Sequence, residues 1–182
     1  MRNHWLHILQ GCSSVYAQPK VAERRESGVE YGSIEREIYI EAAPEVVYEV
    51  VSRPEHLRGW WPDEAELEPV QGATGVISFG ARSTPERKVV PLTVVEAAPP
   101  RRFSFRWVYD ENEAATTTNS LLVTFELEPS GAGTLLRFTE AGFREKGWEA
   151  AVLEEQYREH VTGWDYFLPR LVTYVARLVS TT

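Results

Sequence analysis

A long amphipathic segment near the C-terminus constrains the fold more than any other feature of the sequence. Between Trp148 and Val179, apolar residues recur at steps of three and four, which places them on one face of a single helix. At about 1.5 Å per residue this helix would be roughly 45 Å long. Charged residues, Glu159 among them, fall mostly on the opposite face. The apolar face comprises Leu153, Tyr157, Val161, Trp164, Leu168, Leu171, Val175 and Leu178.

The segments before this helix read mostly as short strands. Residues 34–41 alternate between isoleucine and polar side chains, as in a half-buried strand. Residues 44–51 and 54–60 then predict two short helices, and several alternating stretches follow. In one of these, the aromatic residues at 103, 105, 107 and 109 project from one face. Helices gathered on one side of an antiparallel sheet predict an α+β domain over residues 31–182.

Residues 1–30 differ in composition from the rest and are predicted to form a flexible N-terminal arm. The apolar run near Trp5 is too short and too interrupted for an export signal, so we expect a cytoplasmic protein. No apolar run approaches the roughly 20 residues of a membrane span.

Charge and cysteine content exclude several classes of function. The chain of 182 residues has a net charge of −8 and a pI of about 5.1, which argues against nucleic acid or an anionic membrane as partner. Cys12 is the only cysteine, so no disulfide framework or cysteine metal cluster is expected. No metal, phosphate or nucleophile motif is present, and we predict neither a metal site nor a cofactor.

Aromatic residues are the strongest functional signal, with six tryptophans and eight tyrosines in the chain. A twisted sheet that grips a long helix often leaves space between the layers, and aromatic side chains there suit a planar, hydrophobic or polyketide-like ligand. His160 could face this space, where we expect a neutral histidine. The predicted ligand-binding residues are Trp60, Trp61, Phe79, Phe105, Trp107, Tyr157, Trp164 and Phe167.

Several motifs in the same order resemble the START-like helix-grip (SRPBCC) superfamily, and most closely its branch named for the activator of the Hsp90 ATPase. They are the strand from Ile34, the helix from Pro44, Pro54-Glu-His-Leu followed by Trp60-Trp-Pro, and Gly163-Trp on the last helix. The resemblance implies an antiparallel sheet of six or seven strands wrapped around the last helix, with an apolar cavity between them.

Within this branch, the Trp-Trp-Pro, Phe103-Ser-Phe-Arg-Trp, Val123-Thr-Phe and Gly163-Trp motifs resemble the calicheamicin self-sacrifice resistance proteins. Such proteins bind an activated enediyne, whose diradical takes hydrogen from the protein, so that the protein backbone is cleaved instead of DNA. A glycine is the expected target, because its Cα–H is unhindered and the resulting radical is delocalised. The loop Tyr109–Asn119, which corresponds to the family's site, contains no glycine. The remaining candidates are Gly75, Gly80, Gly142 and Gly147.

We therefore predict a monomer that binds a hydrophobic small molecule without conventional turnover. Two alternatives stay open. A polyketide cyclase or aromatase of the same fold would require an ionisable residue deep in the cavity. An Hsp90 co-chaperone-like interaction module would require a basic or apolar docking surface.

Overall fold

The computed structural model describes residues 31–80, 83–84, 87–108 and 115–181. The predicted N-terminal arm, residues 1–30, lies outside the described residues. The order of elements agrees with the sequence-based expectation of a strand, two short helices, several strands and a long helix. In chain order they are β1 (Ser33–Ile40), α1 (Pro44–Ser52), α2 (Pro54–Leu57), β2 (Glu64–Glu66), β3 (Thr74–Phe79), β4 (Lys88–Ala98), β5 (Arg102–Trp107), β6 (Leu121–Ser130), β7 (Gly133–Ala141) and α3 (Ala150–Ser180).

The seven strands form one antiparallel sheet in the order β1-β7-β6-β5-β4-β3-β2. Strands β2 to β7 therefore lie beside their neighbours in sequence, whereas β1 pairs with β7, with Ile34 opposite Glu140. The two small helices carry the chain from the β1 edge of the sheet to the β2 edge. Together with the long last helix, this arrangement confirms the predicted α+β helix-grip fold.

The crossing segment is tied to α1 by a tryptophan. The side chain of Trp60 is fully buried, and its indole nitrogen donates a hydrogen bond of 3.1 Å to the carbonyl of Val50. In a helix, this carbonyl would normally accept a hydrogen bond from the backbone N–H of the residue four positions later. That residue is Pro54, which has no N–H. Trp60 therefore completes the C-terminal end of α1.

Helix α3 is 31 residues long and packs its apolar face on the sheet. Pro169 lies on its exposed side, and the helix continues past it to Ser180. Within the described residues, neither α3 nor any other helix is both long and apolar enough to cross a membrane. The buried apolar residues of α3 are Trp164, Phe167, Leu168, Leu171 and Val175.

The N-terminal half of α3 is more polar on its inner face than the sequence indicated. Glu159 was expected on the solvent side, yet it is buried together with Gln156 and His160, which are one helical turn or less away. The reason is the chemistry of the opposing sheet, which presents Lys88 and Glu140 to this part of the helix. A polar inner face thus borders the apolar one.

Candidate functional site

Seven of the eight predicted ligand-binding residues meet between the sheet and α3, and all seven side chains are buried. They come from the segment after α2, from the end of β3, from β5 and from α3. We refer to them as the aromatic cluster. In chain order its members are Trp60, Trp61, Phe79, Phe105, Trp107, Trp164 and Phe167.

Trp61 lies at the centre of this cluster. The ring centroids of Trp164, Trp107 and Phe105 are 5.1, 5.5 and 5.7 Å from its own, and two further rings lie at 5.9 and 6.2 Å. Distances in this range are those of favourable aromatic pairs. The rings therefore pack directly against one another, and a ligand reaches Trp61 only where a neighbouring ring moves aside.

One edge of the aromatic cluster lies just beneath the surface. The rings of Phe79 and Phe167 are 6.3 Å apart, and Phe167 also contacts the exposed Tyr166 at 5.0 Å. The guanidinium group of Arg170 lies 6.0 Å from the Phe167 ring. This edge of the cluster therefore lies next to exposed side chains.

Tyr157 is the predicted site residue that lies apart from the cluster. Its hydroxyl donates to the backbone carbonyl of Ser33 at 2.9 Å, and its ring contacts Phe143 and Tyr31. These contacts attach α3 to the start of β1. In this structure, Tyr157 therefore has the geometry of a packing residue.

A buried carboxyl group that the sequence analysis missed lies against the aromatic cluster. Glu140 on β7 has no exposed surface. It accepts hydrogen bonds from the indole nitrogens of Trp107 at 3.0 Å and Trp164 at 2.7 Å. Its Oε2 atom is also 2.8 Å from Nδ1 of His160, which is likewise buried. Four side chains from three strands and helices thus form one buried network.

The alternation of β7 could have revealed this residue. Leu136 and Phe138 are buried apolar residues of that strand, and Glu140 is the next residue in the same period of two. A carboxylate at an inward position needs partners, since burial of an unpaired charge is costly. The pattern thus indicated a buried polar site.

Burial shifts the titration of this pair toward its neutral forms. The pKa of Glu140 rises to about 8 through loss of hydration, against which the two indole N–H groups act. The pKa of His160 falls to about 3 through burial and, to a lesser extent, the charge of Lys88. Both groups are therefore neutral at pH 7, so we assign the Glu140 carboxyl as the donor to Nδ1 of His160. The expectation of a neutral histidine agrees with this geometry.

The nearby Lys88 extends the polar region. Burial lowers its pKa to about 8, while the charge of Glu159 acts in the opposite direction.

Among the described residues, no three His, Cys, Asp or Glu side chains are grouped so that they could hold a metal ion.

The four tryptophans of the cluster differ in their hydrogen bonding. The indole N–H groups of Trp60, Trp107 and Trp164 all donate to an oxygen atom. Trp61 has its indole nitrogen buried, and no acceptor for it exists in the part of the chain that the structure describes. Trp61 is therefore the one cluster tryptophan with an unused donor in that part.

The four candidate glycines lie at different distances in sequence from this site. Gly80 directly follows a residue of the aromatic cluster, and Gly142 lies two residues beyond the buried carboxyl group. Gly75 lies within β3, where an added methyl group would come 2.5 Å from a backbone oxygen. Gly147 occupies an exposed turn with φ of +65°. The loop of residues 109–119 is described only from residue 115 onward.

Comparison with known proteins gives a family and a fold. Residues 41–176 match the family described as activator of Hsp90 ATPase homolog 1-like protein. No curated protein matches the sequence.

The solved structures to which the chain is similar include CalU16, DynU16 and the Aha1 dimer. CalU16 from Micromonospora echinospora is 19% identical with a TM-score of 0.56, and the match covers 82% of this chain and 79% of that one. DynU16, a protein of the dynemicin biosynthetic locus, is 18% identical with a TM-score of 0.60, covering 80% and 47%. The Aha1 dimer from Colwellia psychrerythraea is 22% identical with a TM-score of 0.57, covering 79% and 95%. At these identities the likeness is one of fold.

Proposed function

The chain belongs to the family of activator of Hsp90 ATPase homolog 1-like proteins, and on that premise we propose that it binds a hydrophobic small molecule between its sheet and α3. The observation that carries this proposal is the aromatic cluster, in which each of the other six rings contacts Trp61 or one of its direct neighbours. A core needs apolar side chains, but it does not need this many large flat ones at one place. Flat rings with a polar group beside them suit a planar ligand.

The specific function that we propose is self-resistance to an enediyne of the calicheamicin type. The motifs shared with self-sacrifice resistance proteins support it, and the fold likeness to CalU16 is in keeping with it. DynU16, from the dynemicin biosynthetic locus, is a further neighbour from a natural-product context. The protein would sequester the drug and be cleaved in place of DNA.

The chemistry requires a hydrogen atom donor close to the bound drug. A thiol triggers conversion of the enediyne to a diradical with two radical centres. One centre takes a hydrogen atom from a glycine Cα, and the other takes a hydrogen atom from the excess thiol. The resulting carbon radical captures dioxygen, and scission of the backbone follows. Of the four candidate glycines, Gly80 and Gly142 are the preferred donors, because they lie nearest in sequence to the aromatic cluster and to Glu140.

The test is intact-mass analysis after incubation with calicheamicin, a thiol reductant and DNA in one tube. We expect two fragments with complementary masses, a break at one glycine, and DNA that stays intact. Protein labelled with α-dideuterated glycine should transfer deuterium to the aromatised drug, and omission of the thiol is the matched control. Unchanged protein together with cleaved DNA would refute self-resistance.

A second candidate, a polyketide cyclase or aromatase, is favoured by the Glu140–His160 pair. This alternative required an ionisable residue deep in the site, and both groups are buried against the aromatic cluster. A carboxyl group whose pKa is raised to about 8 can serve as a general acid near neutral pH. Incubation with a poly-β-ketone thioester tests this function. Dehydrated cyclic product formed by the wild type and not by Glu140→Gln would favour it, whereas the spontaneous product mixture alone would refute it.

A further inference from the structure

The unused donor of Trp61 adds information about what binds in the site. Its side chain is 4% exposed, and its indole nitrogen is buried without an acceptor in the described part of the chain. Its sequence neighbour Trp60 is also buried, with no exposed surface, but donates to a backbone carbonyl. The two tryptophans stack with centroids 5.9 Å apart, so they share one environment and differ in hydrogen bonding.

Leaving this N–H unpaired carries a cost that a different side chain would avoid. A buried donor without an acceptor destabilises a protein, and most buried donors in native structures are paired. Phenylalanine would provide a similar flat surface without a polar atom. Water is a poor partner at this position, because a buried water molecule needs two to four polar contacts and Trp61 is surrounded by rings.

An acceptor delivered by a ligand would satisfy the donor when the site is filled. A neutral oxygen fits these surroundings better than a carboxylate, because an anion buried among aromatic rings loses far more hydration energy than one hydrogen bond returns. Resting on the proposed binding function, we propose that the Trp61 indole N–H recognises a ketone or quinone carbonyl on a planar hydrophobic ligand. The aromatic cluster then holds the body of the ligand, and Trp61 sets its orientation.

The experiment compares two probes of nearly the same shape, 1-tetralone and tetralin, which differ by one carbonyl oxygen. Dissociation constants are measured by following the tryptophan indole resonances in ¹H–¹⁵N spectra of the wild type, Trp61→Phe and Trp148→Phe. Trp148 is half-buried and lies outside the aromatic cluster, so Trp148→Phe is the matched control that keeps the site intact. Loss of one resonance in each variant assigns the two indole signals.

We expect the wild type and Trp148→Phe to bind 1-tetralone about tenfold more tightly than tetralin, the effect of one additional neutral hydrogen bond. The Trp61 indole proton should shift downfield with 1-tetralone alone. In Trp61→Phe the two probes should bind equally. An unchanged preference in Trp61→Phe, or equal binding of both probes by the wild type, would overturn the role of Trp61 while leaving hydrophobic binding in place. Absence of binding by either probe would count against the proposed function itself.

Discussion

At the scale of single residues, Trp60 and Trp61 provide a paired test of hydrogen bonding in the core. Trp60→Phe removes the donor to the Val50 carbonyl and should cost about 2 kcal/mol of unfolding free energy. Trp61→Phe removes an unpaired donor, so we expect a change within about 1 kcal/mol, because the volume lost and the polar atom removed act in opposite directions. Urea denaturation measures both values. Equal losses in the two variants would show that the Trp61 N–H is already paired.

The buried pair Glu140 and His160 predicts a defined dependence of stability on pH. The pKa of Glu140 is raised to about 8, so the folded protein holds a proton that the unfolded chain releases above about pH 4.5. This makes stability fall as the pH rises toward 8. The lowered pKa of His160, about 3, has the opposite effect, but only between pH 3 and 6.5. Lys88, whose pKa is lowered to about 8, changes the pH dependence of stability only above pH 8.

Between pH 6.5 and 8, Glu140 is therefore the one of these three groups whose titration changes the unfolding free energy. We expect the unfolding free energy to decrease by roughly 2 kcal/mol over this interval, at about 1.4 kcal/mol per pH unit for one proton. Glu140→Gln should lower stability at every pH and should remove this slope. The amide nitrogen that takes the place of Oε2 can donate to His160, but it cannot accept from Trp164. Urea melts at pH 6.5 and 8 measure it. An identical slope in the variant would assign the proton to another group.

At the scale of elements, the docking of α3 on the sheet depends on Trp164. Its side chain is 1% exposed, lies 4.5 Å from the ring of Phe138 on β7, and donates to Glu140. Trp164→Ala should cost about 3–5 kcal/mol, because it leaves a cavity and breaks a buried hydrogen bond. Denaturant unfolding provides the measurement. A loss below about 1 kcal/mol would mean that the tryptophan is not buried in solution.

The elements were largely predictable from sequence, because each one buries an apolar face with its own period. The spacing of three and four residues predicted α3, and the alternation of two predicted β1 and β5. What could not be predicted is which polar residues accompany the apolar ones inward. Glu159 looked like a solvent residue by its charge, and it is buried because Lys88, distant in sequence, lies opposite.

In the site, too, the sequence pattern predicted which residues face inward but not which of them contact one another. The tryptophans and phenylalanines could be assigned to one layer, since their segments face α3. The direct ring contacts, the separate position of Tyr157 and the three partners of Glu140 depend on how several distant segments meet. No spacing within one segment contains that information.

At the scale of the whole molecule, the monomeric state stays a prediction. The exposed large apolar side chains come from separate parts of the fold, and the net charge is −8. We predict a mass of 20.7 kDa by light scattering coupled to size exclusion, independent of concentration. A mass of twice that value would contradict the prediction and indicate a dimer, the state of the similar Aha1 structure from Colwellia psychrerythraea. The apolar residues concerned are Tyr39, Val70, Val95, Val152, Tyr166 and Val179.

The most direct test of the central claim is calorimetric titration of the protein with calicheamicin in the absence of thiol, so that binding is measured without cleavage. We predict one-to-one binding by the wild type. Phe167→Leu, at the near-surface edge of the aromatic cluster, should bind roughly fivefold more weakly or worse, because the ring contact is lost while most of the volume is kept. Tyr39→Ala, an exposed change on β1, should match the wild type. Absence of binding, or equal affinity in all three proteins, would contradict a ligand site between the sheet and α3.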